Sequence, residues 1–122
     1  MERILYQELG EENLTLLVDR FYDRVFAHER IARLFKSEKT VIKEKQRLFL
    51  TQFLGGPALY TEKYGHPRLR ARHLPHPISE ADAHAWLSCM SEAITSLDID
   101  ETLKDELFKR FIQPAMFMVN VG

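Results

Sequence analysis

Punctuation by glycine and proline constrains this chain more than any other feature. Four of its five prolines (Pro57, Pro67, Pro75 and Pro77) fall between Gly55 and Ile78, together with Gly55, Gly56 and Gly65. Both residue types interrupt helices, proline by removing a backbone donor and glycine by its conformational cost. The rest of the 122-residue chain is almost free of them. That distribution predicts helices on either side of an irregular middle and leaves little material for hairpins.

The apolar spacing agrees. Leu14, Leu17, Val18, Phe21, Tyr22 and Val25 recur at intervals of three and four, which predicts an amphipathic helix from about Glu11 to Phe26. Gly10 can start it, and Glu11 and Glu12 suit the positive end of its dipole. A second pattern, with Ile42, Gln46, Phe49, Leu50 and Phe53 on one face, runs from about Lys39 to Leu54 and stops at Gly55-Gly56-Pro57. A third starts at Ser79, where Ser79 and Asp82 have capping-box spacing, and carries Trp86, Met90, Ala93 and Leu97 inward, widened by Cys89 and Ile94. A fourth spans about Glu101 to Val119, with Pro114 expected to kink it. Shorter helical pieces are expected around Ile31 to Phe35 and Leu69 to His73. No alternating strand pattern competes, so the expected class is all-α, with residues 1–122 as one domain.

Seventeen basic residues against eighteen acidic ones argue against a nucleic-acid partner, which favours a basic excess. The single cysteine, Cys89, excludes an internal disulfide and any multi-cysteine zinc site and suggests a reducing, cytoplasmic setting. Cys89 itself reads as a buried small hydrophobe. No apolar run approaches the length of a membrane span, and the first ten residues lack a signal-peptide pattern.

Three polar side chains fall on faces expected to be apolar. Tyr22 offers a hydroxyl, Gln46 an amide and Trp86 an indole N–H. Core packing accounts for either aromatic residue alone. Gln46 is harder to place, because a buried amide without partners costs about 1–3 kcal/mol. Either it bonds Tyr22 or Trp86, or it faces a ligand, or the helical phase is off by one. Together the three would give an apolar space several neutral donors. Of the five histidines, His28 suits a helix end and His84 an exposed first turn, while His66, His73 and His76 lie in the punctuated middle. His73 and His76 are a weak zinc signal without further ligands nearby. A histidine on a short helical piece opposite a donor-lined pocket can instead be the axial ligand of haem iron. Lys45 and Arg72 flank the two walls and could pair with haem propionates, although most basic residues here read as a solvated face.

Several segments resemble the truncated haemoglobins of group II, in order and over nearly the whole chain. They are Arg20-Phe21-Tyr22, the run Phe49 to Pro57, Tyr64-Gly65-His66-Pro67 with Leu69, Arg70, Arg72 and His73, then Ala85-Trp86-Leu87 with Cys89 and Met90, and Met118-Val119-Asn120. The resemblance implies a two-over-two helical sandwich around one haem b, with one iron per chain. It makes His73 the proximal iron ligand and Tyr22, Gln46 and Trp86 the distal donors. Phe35 becomes the aromatic residue on the haem edge, Lys45 and Tyr60 propionate contacts, and Phe49 a cofactor-binding side chain. Two positions depart from the pattern. Ile42 occupies the distal gate, where relatives often carry a small residue, and His76 stands where they usually carry an aromatic one.

The function so implied is binding of O2, and of other diatomic ligands such as NO or CO. Peroxidase or NO-detoxifying turnover would need an outside reductase, because the chain has no flavin or nicotinamide domain. A haem-free helical interaction domain is the remaining alternative. Oligomeric state, monomer or homodimer, is left open.

Overall fold

A computed structural model describes residues 4–68 and 76–121. Among them the structure is all-helical. It has six α-helices and one short 3-10 turn: α1 (Leu5–Leu9), α2 (Glu11–Ala27), the turn (Ala32–Leu34), α3 (Lys39–Phe53), α4 (Leu59–Tyr64), α5 (Glu80–Thr95) and α6 (Glu101–Phe117). The four long helices follow the apolar periodicity to within two residues at each end. The expected piece around Leu69 to His73 lies outside the described residues.

Each long helix has a local reason to begin. Gly10 precedes α2 at φ +85°, a backbone region that favours glycine, and Glu11 and Glu12 occupy the first turn. Asp82 and Ser79 form the anticipated capping box at α5: the Ser79 hydroxyl accepts from the Asp82 N–H at 3.2 Å, and the Asp82 carboxylate accepts from the Ser79 N–H at 2.9 Å. Asp100 caps α6 by accepting from the Thr102 N–H. Pro114 does not end α6, which continues three residues beyond it.

The two short helices are the departure from the sequence reading. Each is too short to show a period and is held by distant partners. Leu5 and Leu9 bury one side of α1, and the Tyr6 N–H donates to the Leu54 carbonyl at 3.0 Å. The Tyr6 ring then lies against Gly56 so closely that a Cβ there would come within 2.6 Å of it. α4 is pinned by the Gln52 side chain, which donates to the Thr61 hydroxyl and accepts from the Thr61 N–H.

Two helix pairs make the body of the molecule, α2 against α3 and α5 against α6, and α2 also packs along α5. Phe21, Leu14, Leu17, Val25, Met90, Ala93 and Leu107 meet there, all fully buried. The side chains that α3 turns toward the α5–α6 pair are different. Ile42, Phe49 and Phe53 are apolar yet only partly buried, because they face a cavity rather than packed protein.

Candidate functional site

The cavity has a volume of about 270 Å³ and lies between the two helix pairs. α3 contributes one wall with Ile42, Lys45, Gln46 and Phe49, one helical turn apart in register. Tyr22 comes from α2, Phe35 from just beyond the 3-10 turn, Tyr60 from α4 and Trp86 from α5. Every site residue nominated from the sequence that lies within the described residues therefore borders this one space. His73 and Arg72 lie outside the described residues.

Aromatic contacts hold the walls in place. Phe21 is fully buried and meets Tyr22 and Trp86 edge-on, each with ring centroids 4.9 Å away. Tyr22 in turn meets Phe35 edge-on at 5.6 Å. Across the cavity Phe49 stacks on Phe53, and Phe53 on Phe111. A second cavity shares Phe49, Phe53, Pro114 and Met118 and is bordered by His66 and Arg68.

The polar groups at the site are mostly donors. Burial pushes the Tyr22 phenol far above its ordinary range, so it stays protonated at any physiological pH. Among the described residues none hydrogen-bonds the Tyr22 hydroxyl, the Gln46 amide or the Trp86 indole N–H, and no enclosed polar side-chain atom lacks a partner. The three groups therefore border open cavity instead of being sealed into protein. For Gln46 the helical phase holds, since the residue borders the cavity, and its amide bonds neither Tyr22 nor Trp86.

The cations of α3 separate into surface and site groups. Lys43 lies within ion-pair distance of Asp19 and Asp23, and Arg47 pairs with Glu44 at 2.7 Å. Lys39 sits over the Phe26 ring. Lys45 is the one of the four that borders the cavity, its ammonium 5.0 Å from the Tyr64 ring centroid. His84 is exposed beside Glu80, and the His28 ring accepts from the Arg30 N–H. Among the described residues no group of three or more His, Cys, Asp or Glu could hold a metal ion directly. Cys89 is buried, which raises its thiol pKa and keeps it protonated.

Sequence reasoning missed one cavity residue of consequence. The sequence shows Asp82 only as a cap, but the residue also borders the cavity, and its carboxylate accepts from Arg33 at 2.9 Å and Arg30 at 3.5 Å. Those partners are about fifty positions away, and no local pattern announces them.

Two stacked helix pairs closed around an apolar, donor-lined cavity define a small globin. The chain belongs to the bacterial-like globin family, which it matches over residues 4–120. It is 50% identical over 115 residues to the group 2 truncated haemoglobin YjbI of Bacillus subtilis (strain 168), covering 94% of this chain and 87% of the relative. It superposes on the X-ray structure of a truncated oxygen-avid haemoglobin from Bacillus subtilis with a TM-score of 0.91 and 48% identity, over 97% of this chain and 100% of that one. The group II truncated haemoglobin of Bacillus anthracis gives a TM-score of 0.93 at 41% identity, over 99% and 94% of the two chains. The all-α, truncated-globin expectation thus holds.

Proposed function

We propose that the chain binds one haem b in this cavity and retains O2 there through neutral donors. The observation that carries the reading is the convergence of Tyr22, Gln46 and Trp86 on one apolar space with no hydrogen-bond partner among the described residues. The donor chemistry fits haem. Phe35, Phe49, Leu50 and Phe111 supply apolar walls for a flat macrocycle, and Lys45 and Tyr60 supply polar groups suited to propionates. On the family resemblance His73 would hold the iron, and Arg72, one residue before it, would be a further cation for a propionate by its charge.

When bound, haem supplies an iron that takes a diatomic ligand. The chain's own residues do the rest. Phe21 and Phe35 keep the Tyr22 ring from turning away, and the phenol, protonated at near-neutral pH, has an O–H to donate to an electron-rich ligand. Trp86 N–H is a donor that never accepts, and the Gln46 amide offers two more N–H groups. The apolar walls exclude water and strengthen each of these bonds. The same donors would serve turnover of peroxide or NO if an external reductase supplied electrons. The relative described as oxygen-avid, 48% identical, favours retention of O2 as the first reading.

The test begins with an absorption spectrum. Purified protein should show an intense Soret band, absent from His73→Ala. In the loaded protein, Tyr22→Phe and Trp86→Leu should each speed O2 dissociation by about two- to tenfold, the worth of one hydrogen bond. Unchanged off-rates in both variants would remove the donors from the mechanism.

A further inference from the structure

Asp82 is charged, 3% exposed and borders the cavity, yet the reading above gives it no part. Its two oxygens divide their work. Oδ2 accepts from the Ser79 N–H inside the capping box and from the Arg33 guanidinium, both at 2.9 Å, while Oδ1 faces Arg30 at 3.5 Å. Arg30 and Arg33 flank Ile31, which is fully buried, in the turn that leads to Phe35. Phe35 closes on the Tyr22 ring. Four residues beyond Asp82, on the same face of α5, stands Trp86. One carboxylate thus joins the turn that delivers Phe35 to the helix that delivers Trp86.

We propose that Asp82 is a positioning residue for the ligand pocket: through Arg30 and Arg33 it sets the distance between the Tyr22–Phe35 side and the Trp86 side, and hence how well two donors reach one ligand. The inference rests on the haem and O2 reading for its functional consequence. Its geometric part, the coupling of the turn to Trp86, does not.

Two roles meet at Asp82, capping and bridging, and separate substitutions weaken them. Ser79→Ala deletes the hydroxyl half of the capping box and leaves the carboxylate its Ser79 N–H and both arginines. Arg30→Gln combined with Arg33→Gln deletes the bridge and leaves the cap; both arginine side chains are about half exposed, so folding should survive. Trp86 is the only tryptophan, so its indole N–H gives one assignable NMR signal, readable with or without haem. The arginine pair variant should shift that signal and speed O2 dissociation about three- to tenfold, and it should also lower the melting temperature, because the buried carboxylate loses its charge partners. Ser79→Ala should lower the melting temperature and leave the off-rate and the indole signal in place. Asp82→Asn should show both effects. The proposal is overturned if the arginine pair variant matches the parent in both indole signal and off-rate, or if Ser79→Ala moves them as much. If no haem binds, the functional reading fails by itself, and the indole signal of the haem-free chain still decides the coupling.

Discussion

At the scale of single residues, contact geometry decides what can be exchanged. Gly56 is the clearest case. A methyl group there would meet the Tyr6 ring at 2.6 Å and the Thr51 carbonyl at 2.8 Å. The carbonyl belongs to helix backbone and cannot yield cheaply. Gly56→Ala should therefore destabilise the protein by about 1–3 kcal/mol in urea unfolding, the usual cost of overpacking. Gln46 should behave in the opposite way. Its amide satisfies nothing among the described residues, so Gln46→Leu removes a poorly placed polar group from an apolar wall. The variant should unfold at equal or higher urea concentration than the parent while releasing O2 faster. Losing stability and retaining O2 would contradict the assignment of Gln46 to ligand contact.

At the scale of elements, legibility tracked length and locality. α2, α3, α5 and α6 each span four turns or more, so a period of 3.6 had room to show, and the Ser79-x-x-Asp82 spacing announced its own cap. α1 and α4 span five and six residues and exist because Leu54 and Gln52 reach back to them. A pattern reader has nothing to count there. Tyr22, Gln46 and Trp86 are legible as polar cavity residues because they stand out on apolar stripes, whereas the arginine contacts of Asp82 are hidden by sequence distance. α6 continues through Pro114 to Phe117, and Pro114 borders the cavity. The cap itself is measurable. Ser79→Ala should cost about 1 kcal/mol, the common worth of an N-cap side chain, seen as a fall of several degrees in melting temperature.

At the scale of the whole molecule, the buried carboxylate links stability to acid. Burial alone would raise the Asp82 pKa, but the Ser79 hydrogen bonds and the Arg33 and Arg30 charges outweigh it and hold the carboxyl below its ordinary value. A depressed carboxylate pKa contributes stability in full above the unfolded value, near 3.9, and the contribution is lost as pH falls through the lower folded value. Urea unfolding should therefore show no contribution to pH dependence from this group between about pH 5 and 8, and a decline below about pH 4. In Asp82→Asn that acid-side decline should be shallower from a lower plateau. An unchanged slope would show that other carboxylates dominate acid unfolding.

The cavity between the helix pairs has a consequence outside the ligand pocket. In a chain of this length it occupies the place where a larger domain would keep its deepest core, and Phe35, Phe49, Phe53 and Trp86 remain only partly covered around it. A cofactor seated there would complete the interior and stabilise the native state by mass action. Unfilled copies would be folded but less stable, and they would be the ones that proteases reach first. The amount of this protein in a cell would follow iron and haem supply even with its gene expressed at a constant rate.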